Sequence, residues 1–197
     1  MTKTIFLAAG CFWGAQHYLK QIRGVVDTTT GFARGGDTAG PDRTGADGCT
    51  AEAPTYEEVY TDRTGYAETV RVEYDPDVLP LYKLLELYFL CIDPTSVNRQ
   101  GEDEGTRYRT GIYYIDPEDR PTIDEAMRAT QHGYSSPLAV ETEPLEVFHP
   151  ASEFHQDYLD KHPDGYCHLP ESLFVIARAA NRESVSGIRQ TKFYSHD

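Results

Sequence analysis

The alternation of apolar and polar positions predicts a chain of short strands and helices. Residues 4–7 form a brief apolar run, typical of a buried strand, and apolar side chains recur at helical spacing from Ala15 onward. Residues 25–32 alternate between two faces and are rich in β-branched side chains, which predicts a second strand. The same rules predict strands over residues 56–60, 69–74, 108–115 and 138–142, and helices over residues 79–92, 121–131 and 150–159.

This order of elements predicts an α+β fold: a two-layer sandwich with a mixed β-sheet, resembling a ferredoxin-like core, and coil-rich extensions. The 197 residues fit a single domain. Residues 36–53 show no periodicity and are rich in Gly, Asp, Thr and Ala, which predicts a loop insertion. A C-terminal tail is expected after about residue 168.

The passage from the first strand to the first helix carries an unusual cluster. Cys11, Phe12 and Trp13 stand between Gly10 and Gly14, at or within one turn of the predicted helix N-terminus. Unpaired N–H groups and the helix dipole favour an anion there, so we expect the thiol pKa to be lowered. The cysteine is then either a nucleophile or a small buried residue that packs the strand against the helix.

Glu68 lies at the start of the predicted strand over 69–74 and has the parity of its apolar face. That face carries Val70, Val72 and Tyr74, whereas Arg71 and Glu73 lie on the other face. A carboxyl group directed towards a core is desolvated, which raises its pKa and suits a general acid near neutral pH. The alternative is a carboxylate that reaches water at the strand end.

Charge and composition exclude several classes of protein. The formal net charge of −14 argues against nucleic-acid binding, because phosphate contacts need a basic surface. No apolar run approaches the length of a membrane span, and the apolar residues near the N-terminus are too few for a signal peptide, so we expect a cytoplasmic protein. The four cysteines form no CxxC pair, which in a reducing compartment favours buried, catalytic or redox-sensing thiols over a disulfide framework.

Three functions are compatible with these features. The first is thiol redox chemistry, with Cys11 as the attacking thiolate and a distant cysteine as its partner. The second is a metal site, although the spacing of its candidate ligands matches no compact chelate, and His155 and Asp157 are expected on a solvated helix face. The third is a non-catalytic redox-sensing or interaction domain. The candidate metal ligands are His149, His155, His162, Cys167 and His168.

A series of motifs, in order along residues 4–168, resembles the A class of peptide methionine sulfoxide reductases. The motifs are GCFWG (10–14), TGFARGG (30–36), PTYEEV (54–59), TGYAE (64–68) with VRVEYDP (70–76), DPT (93–95), NRQG (98–101) with Asp103, GTRYR (105–109), FHQ (154–156) with YL (158–159), and GYC (165–167). The resemblance implies the whole of residues 1–197 as one catalytic domain that reduces methionine S-sulfoxide, free or in proteins, in protein repair under oxidative stress.

The resemblance also assigns roles to residues of the first half-reaction. Cys11 attacks the sulfoxide sulfur, and Glu68 donates a proton to its oxygen. Tyr56 and Tyr108 hydrogen-bond to that oxygen, and Asp103 supports the site. The result is methionine and a sulfenic acid on Cys11. The opposite pKa shifts expected for the thiol and the carboxyl group agree with these roles, and no metal or organic cofactor is implied.

Substrate binding and recycling follow from the same resemblance. Phe12 and Trp13 form an apolar wall for the S-methyl group of the substrate. Cys167 attacks the sulfenic acid to give a Cys11–Cys167 disulfide, which thioredoxin reduces. Two departures from the family are the length of the 36–53 insertion, which carries Cys49, and a tail without a further cysteine. We therefore expect one resolving step, with Cys49 as a bystander.

Overall fold

A computed structural model of the protein describes residues 1–35 and 54–180. Its strands are β1 (Lys3–Ala9), β2 (Val25–Gly35), β3 (Ala67–Tyr74), β4 (Arg99–Gln100), β5 (Asp103–Glu104), β6 (Thr110–Tyr114) and β7 (Glu141–Pro150). Its α-helices are α1 (Phe12–Leu19), α2 (Tyr56–Tyr60), α3 (Leu81–Leu90), α4 (Arg120–Gln131), α5 (Tyr158–Lys161) and α6 (Glu171–Ala179). The predicted insertion with Cys49, and the tail beyond residue 180, lie outside the described residues.

Five of the strands close into a barrel in the order β1-β3-β2-β7-β6, with β6 pairing back onto β1. Every neighbouring pair is antiparallel except β6 and β7, which are parallel. The predicted mixed sheet with packed helices is therefore confirmed. The sheet is closed, however, whereas the sequence predicted a two-layer sandwich with a ferredoxin-like core. β4 and β5 form a separate small hairpin.

The barrel has an apolar cluster on each face of its sheet. The larger cluster includes Ile5, Leu7, Val70 and Val72 and joins the strands to the buried sides of the helices. The smaller one draws residues from β1, β2, β3, β6 and β7 and none from a helix, so we place it inside the barrel. Because successive strand residues face opposite sides, the β3 face that carries Val70 and Val72 is directed towards the helices.

Three local predictions are wrong. Residues 56–60 form helix α2 instead of an edge strand, because Thr55 and Glu58 form a capping box at its start. The helix predicted over 150–159 does not begin at Pro150, which instead ends strand β7; the helical residues begin at Tyr158. The strand predicted over 138–142 begins at Glu141 and is ten residues long.

Candidate active site

The candidate site lies at one end of the barrel, where β1 ends and α1 begins. Cys11 is the residue before α1 and is only 6% exposed. Ala9, the last residue of β1, pairs with Thr110 of β6, and Leu7 pairs with Val70 of β3. The beginnings of β3 and β6 therefore flank the turn that carries Cys11. This brings Glu68 and the segment before β6 to the thiol.

The environment of Cys11 raises the pKa of its thiol. The backbone N–H groups of Trp13 and Gly14 donate hydrogen bonds to the sulfur and lower its pKa, as expected at a helix N-terminus. Burial and the nearby carboxylate of Glu68 act more strongly in the other direction, so the pKa lies well above its ordinary value. The sequence-based expectation of a lowered pKa is wrong for this site, because it took no account of how deeply the sulfur is buried.

Glu68 has the environment that its position in the strand predicts. It is 1% exposed, and its Oε2 accepts a hydrogen bond of 2.9 Å from the backbone N–H of Phe12. Burial raises its pKa to about 8, outweighing that hydrogen bond, which lowers the pKa. Glu68 is consequently protonated in most molecules at pH 7. The site thus holds a buried carboxyl group near the Cys11 sulfur.

Two tyrosines close the site around this pair. Tyr56 begins α2 and stacks on His155 with ring centroids 4.6 Å apart, and Tyr108 ends a 3-10 turn just before β6. Burial raises the pKa of both phenols, that of Tyr108 to about 12, and the charges of Glu68 and Cys11 act in the same direction. Both hydroxyl groups therefore stay protonated at neutral pH and are able to donate hydrogen bonds.

Arg107 is a further site residue that the motif match did not assign. Its guanidinium lies 4.5 Å from the ring centre of Tyr108 and 4.0 Å from that of Tyr60. It also forms an ion pair of 2.7 Å with Asp62. Its charge lowers the pKa of Glu68, although less than burial raises it. Arg107 thus packs against Tyr108 and lowers the pKa of Glu68.

The aromatic residues after Cys11 form a layer beside the thiol. Phe12 is buried and packs against His155, with centroids 5.4 Å apart. Trp13 stacks on Tyr158 at 3.8 Å and donates its indole N–H to Nδ1 of His155 at 3.2 Å. Burial lowers the pKa of His155, which keeps the ring neutral and able to accept that hydrogen bond. His155 is 7% exposed, so its predicted place on a solvated helix face is wrong.

The second cysteine of the site lies against α1. A methyl group at Gly14 would be 3.0 Å from Sγ of Cys167, so the glycine is what allows this close approach. Cys11 and Cys167 are both free thiols, and Cys167 is partly exposed with Sγ 3.6 Å from the carbonyl oxygen of Leu169. Asp103 accepts a hydrogen bond of 3.1 Å from the hydroxyl of Tyr166, and its charge raises the pKa of both thiols.

The candidate metal ligands named from the sequence do not form a cluster in the described part of the chain. Within residues 1–35 and 54–180, no three His, Cys, Asp or Glu side chains are grouped so that they could hold a metal ion. The five candidate ligands named from the sequence all lie in these ranges. No helix of the described part of the chain is long and apolar enough to cross a membrane.

The geometry defines a thiol-based oxidoreductase site: a buried sulfur, a neutral carboxyl group beside it and a second free thiol against the same helix. The family model of the peptide methionine sulfoxide reductases matches residues 3–185. The chain belongs to that family.

Similar proteins agree with this assignment. The peptide methionine sulfoxide reductase MsrA of Lachnoclostridium phytofermentans is 48% identical over 180 residues, which cover 91% of this chain and 100% of that protein. The crystal structure of Mxr1 from Saccharomyces cerevisiae in reduced form has a TM-score of 0.75 and 34% identity and covers 84% of this chain and 88% of that one. Methionine sulfoxide reductase A of Corynebacterium diphtheriae has a TM-score of 0.70 and 31% identity, covering 86% and 84%. Mxr1 has also been solved in complex with Trx2.

Proposed function

We propose that the chain reduces the S epimer of methionine sulfoxide, free or in proteins, with Cys11 as nucleophile and Glu68 as proton donor. The observation that carries the proposal is the placement of the Glu68 carboxyl group and the Cys11 thiol at the same helix N-terminus. A sulfoxide sulfur is a poor electrophile until its oxygen is protonated. A thiolate and a carboxylic acid must therefore act together on one substrate.

In the first step the Cys11 sulfur bonds to the sulfoxide sulfur while Glu68 gives its proton to the oxygen. The S–O bond of the substrate and the new S–S bond then break, methionine leaves as the thioether, and the hydroxyl oxygen is transferred to Cys11 as a sulfenic acid. Cys11 is oxidised and the substrate is reduced by the same two electrons. Tyr56 and Tyr108 donate hydrogen bonds to the oxygen, and Asp103 supports the site.

The aromatic layer supports recognition of the substrate methyl group. Phe12 and Trp13 form the apolar wall, and the stacking of Trp13 on Tyr158 together with its hydrogen bond to His155 fixes the indole plane. A fixed wall beside the sulfur orients the sulfoxide so that its oxygen points to the carboxyl group. Such an arrangement favours one epimer, because exchanging the methyl group and oxygen would bring the oxygen onto the apolar wall.

In the second step Cys167 attacks the sulfenic acid, and the resulting Cys11–Cys167 disulfide is reduced by thioredoxin. The contact of Cys167 with Gly14, one turn from Cys11, supports this pairing. The partial exposure of Cys167 and the solved complex of Mxr1 with Trx2 support an exchange with a thioredoxin. A single catalytic domain, supported by the family match over 3–185, and a cytoplasmic location remain predictions.

An epimer-resolved assay tests the proposal. The wild-type protein with dithiothreitol or thioredoxin should consume the S-sulfoxide of methionine and leave the R-sulfoxide. Cys11→Ser should abolish turnover, whereas Cys91→Ser, which changes a buried thiol outside the site, should retain it. Cys167→Ser should still release one equivalent of methionine but lose turnover with thioredoxin, and Cys49→Ser should keep both. Consumption of the R epimer alone would refute the assignment.

The same assay separates the enzyme from a non-catalytic sensor that has kept the fold. One equivalent of S-sulfoxide should convert the reduced protein to the Cys11–Cys167 disulfide, which mass spectrometry identifies from its linked peptides. A sensor without reductase activity would leave both thiols free and the sulfoxide intact.

A further inference from the structure

The side chain of His168, next to the second cysteine, has a setting that the proposed roles do not explain. It is only 2% exposed, and neither ring nitrogen has a well-aligned hydrogen bond among the residues that the structure describes. The Ala9 carbonyl favours a proton on the ring, and Oδ2 of Asp103 lies 4.0 Å from Nδ1. A buried polar atom without a partner is costly, so it calls for a functional explanation.

Three glycines form the slot that holds this ring. A methyl group at Gly10 would lie 3.4 Å from Nε2, one at Gly14 would lie 3.3 Å from Nδ1, and one at Gly101 would lie 3.6 Å from Cβ of His168. A methyl group at Gly14 would also lie 3.0 Å from Sγ of Cys167. The imidazole and the thiol therefore share one small patch of α1, close to the residue that precedes the helix.

We propose that His168, assisted by Asp103, accepts the thiol proton of Cys167 when Cys167 attacks the sulfenic acid of Cys11. In the resting state the thiol lies near the Leu169 carbonyl, and a rotation of the thiol group directs it to the imidazole. This role rests on the proposed function, because it concerns the second step of that reaction.

The imidazole of His168 starts neutral, and the nearby carboxylate of Asp103 has to strengthen it as a base when it takes the thiol proton. Burial lowers the pKa of His168 to about 4, so the imidazole carries a free lone pair at neutral pH. Burial also raises the pKa of Cys167, and the charge of Asp103 raises it further, so the thiol does not ionise readily by itself. The carboxylate at 4.0 Å stabilises the imidazolium once the proton has moved. The titratable groups that these contacts place near the imidazole are Asp103 and Cys167.

The step balances without another reactant. The S–H bond of Cys167 breaks, its proton goes to the imidazole, and the sulfur forms an S–S bond to Cys11. The S–O bond of the sulfenic acid breaks, and the hydroxide leaves as water with the proton from the imidazolium. Cys167 is oxidised, the sulfenic sulfur is reduced, and His168 ends neutral.

The test follows disulfide formation after one equivalent of methionine S-sulfoxide, by rapid acid quench and mass spectrometry. His168→Phe keeps a ring in the slot without a nitrogen, and His168→Gln keeps polar atoms that are not basic. Both should slow formation of the disulfide by about a hundredfold, as loss of a general base does. Both should release the first equivalent of methionine at the wild-type rate. His132→Gln, at an exposed position, is the matched control and should change neither rate.

The pH profile separates proton transfer from simple anchoring. Between pH 6 and 8 the wild-type rate should be nearly constant, because the imidazole is neutral throughout. In His168→Gln the rate of disulfide formation should rise about tenfold per pH unit, because only the small fraction of Cys167 present as thiolate reacts. Wild-type kinetics in His168→Phe, or parallel profiles in His168→Gln and wild type, would overturn the role of His168. A wild-type protein that releases methionine but never forms the disulfide would instead overturn the proposed second step itself.

Discussion

Replacing Glu68 by Gln isolates the contribution of the proton donor. Glutamine has nearly the same shape, and its carbonyl oxygen can still accept the N–H of Phe12 that Glu68 now binds at 2.9 Å. It cannot supply a proton to the sulfoxide oxygen. With a pKa of about 8, Glu68 is protonated roughly ten to one at pH 7, so almost every wild-type molecule holds the acid that the variant lacks.

The expected loss follows from the usual contribution of general acid catalysis. Single-turnover reduction should slow by about a hundredfold or more, which corresponds to at least about 2.7 kcal/mol of barrier. The assay uses enzyme in excess over methionine S-sulfoxide, without reductant, and measures released methionine. Glu73→Gln, on the other face of β3, is the control and should retain the wild-type rate. Reduction by Glu68→Gln within threefold of wild type would refute the role of the acid.

Alkylation of Cys11 by iodoacetamide shows whether the site of the variant is intact. The carboxylate charge of Glu68 is one cause of the raised thiol pKa. At pH 7 most Glu68 side chains are uncharged, so Glu68→Gln should leave alkylation unchanged. At pH 9 Glu68 is charged, so the substitution should lower the thiol pKa and make alkylation faster. An equal loss of alkylation and reduction would mean that Glu68 maintains the structure of the site. In that case the loss of activity would say nothing about proton donation.

The pH dependence of the same step has a definite sign. Because both pKa values are raised, the Cys11 thiol and the Glu68 carboxyl group are both protonated at pH values well below 8. The pair loses its first proton near pH 8. If the reacting pair is a thiolate and an acid, the rate should rise with pH and level off above 8. A rate that is flat below 8 and falls above it would show that the fully protonated pair reacts. Glu68 would then relay the thiol proton of Cys11.

Two further variants test the packing around the site. Gly14→Ala should slow formation of the Cys11–Cys167 disulfide at least about tenfold, because its methyl group would lie 3.0 Å from Sγ of Cys167. The melting temperature should change little, because the close contacts with Sγ and with the His168 ring offset the gain of about 1 kcal/mol in helix propensity. Unchanged disulfide kinetics would contradict the close contact. Tyr88→Phe should cost about 1 kcal/mol in the free energy of unfolding, because the buried hydroxyl of Tyr88 donates to the Ala8 carbonyl at 2.8 Å. Denaturant melts measure that cost, and wild-type stability would mean the hydrogen bond contributes nothing.

The sequence predicted the parts of the site that depend on local pattern. The start of α1 after Cys11 and the buried side of β3 that carries Glu68 both follow from periodicity, and the structure confirms both. The helix at 56–60 also had a readable signal, because Thr55 and Glu58 have the spacing of a capping box.

Other features depend on contacts between distant residues and have no local signal. Closure of the barrel rests on the parallel pairing of β6 with β7, whose register no single segment specifies. The raised pKa of Cys11 depends on burial and on a carboxyl group 57 positions further along the chain. The slot of His168 is built by glycines at 10, 14 and 101, and nothing in the sequence shows that these three face one ring.

The N-terminus of α1 binds two acidic groups, the Glu68 carboxyl group and the Cys11 thiol, and this explains how a thiol with a raised pKa acts as a nucleophile. The N–H of Phe12 binds Glu68, while the N–H groups of Trp13 and Gly14 bind Cys11. A charge on either group raises the pKa of the other, so the pair carries at most one negative charge near neutral pH. In the proposed mechanism, the sulfoxide oxygen accepts a hydrogen bond from the acid form of Glu68 and so favours that form. In the singly charged form of the pair, about a tenth of the molecules at pH 7, the charge then moves from Glu68 to Cys11. Substrate binding thus converts that form into the reactive thiolate, and the thiol stays unreactive in the absence of substrate.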